Sequence, residues 1–421
     1  MAQQQVVILG GGTGGTMVAN RLRHACDTEA MAIHVVDSNN THVYQPGLLF
    51  VPFGLTTLDD IARPRARQLH SGITFHEAGI DHVDLDANTV HLDGGDTLRY
   101  DVLVIASGAR LLPEETEGLT GPGWGTTAGT FFSPEGAQQL HTMLDTFTGG
   151  QLVINVVDMP IKCPVAPLEF AFLADWFLHE RGIRSKTDII FATPLDAAFT
   201  KPVAASHLAS LLHDKNIELV TEFNAGEVDG ASGVLESYDG RTLDFDVLVS
   251  IPAHGGSAYV DRSEGLGDAL GFVPTDKHTL QSLTHDNVFA IGDASNIPTS
   301  KAGSVTHFSS EILVENVQSY LADRELVARF DGHANCFVET GFHRALLIDF
   351  NYETEPLPGH YPARVGLPLL RESRINHWGK LMFQWAYWHT LLPGRDIPGI
   401  TPAMPTSGKQ RPTEGQETRT R

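Results

Sequence analysis

The chain has 421 residues, 42% of them hydrophobic, enough to bury a large core and to favour two or three domains over one. Asp and Glu number 51 against 29 Lys and Arg, a formal charge of −22, and this acidic field disfavours nucleic acid as a partner. No run of about 18 apolar residues predicts a membrane span, and the apolar N-terminal run reads as a strand entering a glycine loop rather than a signal-peptide core. The expectation is a chain made and kept without secretion. Three cysteines, Cys26, Cys163 and Cys336, lie far apart, too few for a disulfide scaffold and without the close pairs of a zinc site. The 20 histidines show no HxxxH or HExxH spacing, so no metal is expected.

Residues 6 to 37 read as a strand, the turn Gly10-Gly11-Gly12-Thr13-Gly14-Gly15, a helix over 16–25 and a strand over 32–36 ending at Asp37. This is the context in which GxGxxG carries meaning. Gly10 permits the tight turn, Gly12 lets the backbone approach a pyrophosphate, and Gly15 lets helix and strand pack closely. Asp37 is placed to accept from ribose hydroxyls. Segment 41–58, apolar and turn-rich, suits either a loop laid against a flat ligand or a buried connection. Residues 73–76, 81–84 and 89–92 suggest a small antiparallel insertion, and 100–106 a buried strand ending at Ser107-Gly108.

An internal echo divides the chain, because Leu98-Arg99-Tyr100-Asp101-Val102-Leu103-Val104 recurs as Leu243-Asp244-Phe245-Asp246-Val247-Leu248-Val249. The second unit begins with a nucleotide-type strand over 152–157. That strand runs not into glycines but into Met159-Pro160-Ile161-Lys162-Cys163-Pro164, so one dinucleotide site reads as intact and the other carries a cysteine where a pyrophosphate would lie. Next come a helix over 168–180, a strand over 188–192, a helix near 203–212 and strands over 217–221 and 245–251. Alternating strands and helices predict parallel sheets covered on both faces. A strand over 288–291 ends in Gly292-Asp293, and Lys301-Ala302-Gly303 leads to a helix over 306–323 whose N-terminus would face developing negative charge. The glycine loop, Asp37 and Gly292-Asp293 together point to FAD.

From 334 the character changes to strands over 335–339 and 345–350, then an aromatic helix over 377–389 that holds three of the five tryptophans. Its composition reads as a monotopic membrane anchor or as a buried aromatic core helix. The tail from about 405 reads as disordered.

The chain resembles the sulfide:quinone oxidoreductase branch of the two-dinucleotide-binding-domain flavoproteins, within the pyridine nucleotide-disulfide oxidoreductase superfamily. The resemblance runs from the Gly10 loop to the aromatic helix. It is carried by Tyr44-Gln45-Pro46-Gly47, Lys162-Cys163-Pro164-Val165-Ala166-Pro167-Leu168-Glu169, Gly292-Asp293 and Cys336. It implies an α/β fold of two Rossmann-like dinucleotide-binding domains in tandem plus a C-terminal membrane-associating segment. The expected FAD domain is discontinuous, 1–110 with 280–330; a second Rossmann-like domain, 111–279, lacks the NAD glycine motif. A quinone and membrane-interface region follows at 331–404, then the disordered tail, 405–421.

The resemblance also implies a Cys163–Cys336 or polysulfide bridge beside the flavin. Cys163 would capture sulfide, Cys336 would pass two electrons to the flavin, and Glu169 would accept a proton. The chemistry stands on its own footing as well, since a thiolate is a strong nucleophile and a cysteine pair can hold hydrosulfide as a persulfide. Lys201 would supply positive charge where some members place a histidine. The cofactor-binding set is Gly10, Gly12, Gly15, Asp37, Gln45, Pro46, Ser107, Gly108, Gly292, Asp293, Lys301 and Gly303. Phe350, Lys380 and Phe383 would meet the quinone, with Tyr387 added by helical spacing. Several members carry a third cysteine after the strand that ends here at Ser107-Gly108. This chain has none between Cys26 and Cys163, so either two cysteines suffice or the sulfur product differs.

The expected activity is oxidation of sulfide to polysulfide or sulfur with electron transfer to a membrane quinone. The expected location is the cytoplasmic face of the cell membrane, with a homo-oligomer left open. An NADH:quinone oxidoreductase would need an intact second glycine loop and would have no use for Cys163. A flavocytochrome c-type sulfide dehydrogenase would be exported and docked to a cytochrome. A non-catalytic redox-sensing flavoprotein is the remaining alternative.

Overall fold

A computed structural model of the chain describes residues 3–397 and 399–410. Val6 to Leu9 are apolar without alternation and fully buried, as a parallel strand covered on both faces requires. Strand Gln4–Leu9 accordingly lies at the centre of a five-stranded parallel sheet, in the spatial order Val288–Ala290, Val102–Ile105, Gln4–Leu9, Met31–Asp37, Ile73–Glu77. In register, Val7 sits between His34 and Leu103.

The second sheet repeats that plan. Its order is Ala128–Gly129, Val247–Ile251, Gly150–Val156, Thr187–Ala192, Ile217–Val220, again all parallel. The two echo segments occupy matching places: Val102–Ile105 pairs with Gln4–Leu9, and Val247–Ile251 pairs with Gly150–Val156. Each is preceded by a three-stranded antiparallel insertion, Ile80–Asp84 with Thr89–Leu92 and Thr97–Arg99, or Ala225–Asp229 with Val234–Ser237 and Thr242–Asp244. Strand Val288–Ala290 returns to the first sheet after the second is complete.

Some expectations need correction. The first helix spans Thr13–Ala25 and so begins inside the glycine loop. Ile73–Glu77 is not part of the insertion but the edge strand of the first sheet, paired with Met31–Asp37. Its half-buried side chains resemble those of an insertion strand, and only the pairing partner separates the two. In segment 41–58, two short 3-10 turns, Gln45–Leu49 and Val51–Phe53, sink Leu48, Leu49, Val51 and Phe53 into the core.

Beyond the sheets, the long helix Gly303–Leu321 leads to an antiparallel hairpin, Ala334–Gly341 with Arg344–Phe350. The hairpin packs between helix Ala166–Glu180 and helix Arg374–Ala386. A single π-turn, Tyr387–Leu391, extends the aromatic helix. Residues 405–410, expected to belong to the disordered tail, are held down by Lys409. Its ammonium pairs with the buried Asp349, which also meets His333 at 2.8 Å. A buried carboxylate needs such partners. The rest of the expected tail, 411–421, lies outside the described residues. Among the described residues no helix is long and apolar enough to cross a membrane.

Candidate functional site

The order of the first sheet reverses beside Gln4–Leu9, and ligands of open α/β sheets bind outside the carboxyl ends of strands at such a point. The glycine loop lies there. Gly10 has φ +101°, and a Cβ on Gly15 would stand 1.8 Å from the Gly10 carbonyl oxygen, so backbone meets backbone and only glycine fits. A Cβ on Gly12, Gly108 or Gly303 would meet nothing within 4 Å. Open space therefore borders both strand ends, and it also borders the starts of helices Thr13–Ala25 and Gly303–Leu321, neither of which has a side-chain cap. Asp37 accepts from the Gly11 N–H at 2.8 Å and pairs with Arg65 at 3.0 Å.

Opposite, Asp293 is flanked by two lysines. Burial pushes its carboxyl up, and Lys301 and Lys162 pull it back. Lys301 is itself drawn down to about 8 by burial, against Asp293 and Asp268. Lys162, quoted only as part of the cysteine motif, anchors the site through the Gln45 side chain (3.2 Å) and the Phe132 carbonyl (3.0 Å). Buried His254 donates through Nδ1 to the Pro252 carbonyl, while its Nε2 has no protein partner. An uncapped helix start, three glycines facing open space and an orphaned buried imidazole nitrogen fit a bound dinucleotide.

The second sheet places Cys163 where the first places its glycines, after its own central strand. Cys163 has φ +48°, the left-handed region that a side chain rarely adopts and that is held only where surrounding contacts enforce it. Those contacts come from across the site, since the Cys163 N–H donates to the Lys301 carbonyl at 2.6 Å. Cys336 lies on the hairpin, next to Asn335, whose N–H donates to Ser304 Oγ at 3.2 Å. Both cysteines therefore flank the segment 301–304 at the start of the long helix. All three cysteines are free thiols, and these two are half-buried. Desolvation pushes the Cys163 thiol up, with Glu169 and Cys336 adding to the effect. Cys336 is pushed up to about 12 by desolvation and then by Glu169. Lys380 lowers both. Cys26 is remote: Gln318 donates to its sulfur, and residues 304 and 318 of one helix stand about 20 Å apart.

Glu169 enters the site because helix Ala166–Glu180 begins directly after the cysteine loop and carries it in the first turn. A buried carboxylate there also opposes a pyrophosphate, which a helix start would otherwise attract. Glu169 accepts from Lys380 in a close ion pair and from the Glu339 N–H at 2.7 Å. Burial pushes the Glu169 carboxyl up. Burial also pulls on Lys380, but the carboxylates of Glu169 and Glu339 outweigh it and hold the ammonium above its ordinary value. Glu339, which the sequence reading missed, is buried and bound to His377 Nδ1 at 3.0 Å. A lone Glu or His gives no warning of such a partner, because strand and helix come from separate segments.

Other expected residues fall elsewhere. Lys201 pairs with Glu355 at 3.2 Å and lies 5.4 Å from the Phe350 ring. Both line a cavity of about 430 Å³ on the outer side of the cysteine loop, bordered also by Pro164 and Lys301. Phe350 thus accompanies Lys201, while Lys380 lies 5.5 Å from the Phe50 ring. Tyr387 is buried, and its hydroxyl bonds Thr13 Oγ1 and His42 Nε2, both at 2.7 Å. It ties the aromatic helix to the glycine loop. Phe383 is half-buried and approaches Tyr44, their ring centroids 6.4 Å apart.

Three imidazoles around the site, His42, His254 and His307, are buried and drawn down to about 4, chiefly by desolvation. Each folded-state value lies below the unfolded value near 6.5, so each stabilises the fold above pH 6.5, and that contribution is lost as pH falls toward 4. The thermal midpoint is expected to drop steeply across that window, and the His42→Gln variant to show a shallower drop. A flat midpoint between pH 6.5 and 4.5 would contradict these values.

The geometry defines the chain as an α/β oxidoreductase with a thiol pair beside a dinucleotide-type loop. The family described as pyridine nucleotide-disulphide oxidoreductase matches residues 4–145. The sulfide:quinone oxidoreductase of Mus musculus is 28% identical over 400 residues, covering 93% of this chain and 86% of the relative. That of Dictyostelium discoideum is 27% identical over 398 residues, with the same coverages. The crystal structure of the sulfide:quinone oxidoreductase from Aquifex aeolicus superposes with a TM-score of 0.79 at 21% identity, over 94% of this chain and 93% of that one. The chain is thus similar to sulfide:quinone oxidoreductases over nearly its whole length.

Proposed function

We propose that this chain is a flavin-dependent enzyme that oxidises hydrosulfide at Cys163 and Cys336 and passes the electrons to a quinone at a membrane surface. The observation that carries this reading is the pair itself. Two thiols from distant segments converge on 301–304 beside a buried Glu169–Lys380 pair, at the position that a second nucleotide loop would occupy.

Under this reading residues 1–110 and 280–330 hold FAD. Gly10, Gly12, Gly15 and Asp37 bind its adenosine and pyrophosphate, while Gln45, Pro46, Ser107, Gly108, Gly292, Asp293, Lys301 and Gly303 surround the rest. FAD, when bound, supplies a two-electron acceptor for the thiols and a donor for quinone. The second sheet, in 111–279, serves as a scaffold for the cysteine loop. Hydrosulfide attack on a Cys163–Cys336 bridge breaks that S–S bond and forms another, leaving a persulfide on Cys163 and a thiolate on Cys336. Lys380 stabilises the thiolate, and Glu169 takes up the proton. Lys201, with Lys301 behind the cysteine loop, favours anionic sulfur species in the neighbouring cavity. Lys380 and Phe383 mark the quinone side, and 331–404 forms the membrane-facing region.

On the aromatic helix, Ile375, Trp378, Leu381, Met382 and Trp385 are all exposed, Trp378 by 65% and Trp385 by 58%. Their spacing puts them on one stripe, as suits a helix lying in a bilayer interface. Trp378→Ser/Trp385→Ser is expected to weaken co-sedimentation with lipid vesicles at least tenfold, by loss of buried aromatic area. Equal sedimentation of the variant and parent proteins would remove the membrane assignment.

The test of the whole reading is anaerobic stopped-flow absorbance of the FAD-loaded protein. Sulfide is expected to bleach the flavin in a rapid phase and NADH to leave it oxidised. Bleaching by NADH with sulfide inert would return the chain to the NADH:quinone class.

A further inference from the structure

Glu339 and His377 have no part in the chemistry above, yet they continue its charged core outward. His377 and Lys380 are three residues apart on one helix and share a face, and both act on Glu339. His377 Nδ1 lies 3.0 Å from each Glu339 carboxylate oxygen, and Lys380 donates to Glu169, which also accepts from the Glu339 N–H at 2.7 Å. Exposure rises along this row, with the Glu169 and Glu339 side chains 2% exposed and His377 17%. Two buried carboxylates face one ammonium, and the His377 imidazole supplies Glu339 with the hydrogen bond that a buried carboxylate needs. Besides Glu339 and Lys380, His377 faces the imidazole of His343 on the hairpin turn, ring centroids 5.5 Å apart.

We propose that His377 and Glu339, continuing from Lys380 and Glu169, form a proton path between the cysteine pair and the protein surface; this rests on the sulfide-oxidising reading. The stoichiometry calls for one. When the Cys163 persulfide and the Cys336 thiolate close to a trisulfide, one S–S bond forms, two electrons leave to the flavin and one proton is released. That proton starts in an enclosed site. Glu169 receives it, the Lys380 ammonium and Glu339 carboxylate hand its charge along, and the imidazole of His377, the most exposed member of the row, exchanges it with water. Glu339 and His377 act through the groups nearer the sulfur, as positioning and relay residues.

The test uses the FAD-loaded protein, with bleaching by sulfide followed in H2O and D2O. In His377→Ala and Glu339→Gln the flavin is expected to reach the same bleached amplitude about tenfold or more slowly. The solvent isotope effect should be enlarged in both variants. Added imidazole should restore His377→Ala, and Glu339→Asp should retain most of the parental rate. Parental kinetics in His377→Ala, or a slowed rate that imidazole leaves untouched, would overturn the path. If Glu339→Gln fails to fold, the His377→Ala arm decides alone. Failure of sulfide to bleach the parent protein would remove the underlying reading instead, and is distinguished by the parent trace.

Discussion

Replacing Cys336 by serine is expected to leave a folded flavoprotein whose absorbance sulfide no longer bleaches, with the rate falling by about a thousandfold or more, as when a nucleophile is removed. The size follows from the role. A serine hydroxyl neither forms the S–S bond nor carries the electron pair, and no other thiol substitutes, because Cys26 lies at the far end of the long helix, beside Gln318. Cys163→Ser should lose bleaching as well, since the bridge needs both sulfurs, whereas Cys26→Ser should react at the parental rate. Structural damage is a poor explanation for such losses, because both thiols are half-buried and serine is nearly isosteric. Sulfide bleaching that survives in Cys336→Ser would show that electrons reach the flavin without the pair.

The largest stability effect is expected at Lys380. Its ammonium is the positive charge set between two buried carboxylates, Glu169 and Glu339, and removing one partner of a buried pair costs about 3–5 kcal/mol because the other charge is left unpaired. Lys380→Met should therefore lower the denaturant midpoint sharply, and adding Glu169→Gln should restore much of the loss, a coupling that a double-mutant cycle isolates. The sign of the pH dependence follows. Without Lys380 the Glu169 carboxyl, already pushed up by burial, rises further above its unfolded value. The folded state then binds the extra proton, and stability falls as pH rises through that range. The penalty should thus be greater at pH 8 than at pH 5. A Lys380→Met midpoint unchanged at pH 8 would rule out an electrostatic role.

Local patterns carried much of the fold. The apolar run Val6 to Leu9, the close-packed Gly10 and Gly15, and the echo between 98–104 and 243–249 are features of neighbouring residues, and backbone sterics and burial act on them directly. The two echo strands fall at matching positions of two matching sheets. Where an element's identity depended on its partner, sequence did less well. Ile73–Glu77 looks like an insertion strand until Met31–Asp37 is seen beside it. Lys409 looks like tail until Asp349 is seen beneath it.

In the site the same division holds. The chain alone singled out Cys163, Glu169, Cys336 and Lys380, each lying in a recognisable local motif. It did not show that the Tyr387 hydroxyl meets Thr13 and His42, or that Phe350 lines the Lys201 cavity. It gave no sign of Glu339 or His377, because a charged residue in a strand and a histidine on a helix read as solvent-facing until desolvation and a 3.0 Å contact bind them together. Sequence determined the glycine turn, the strands and the types of reactive group, since these follow from the residue and its immediate neighbours. Tertiary structure decided which of those groups share a dry space, because charge coupling depends on distance and solvent exclusion, and only the folded chain sets both.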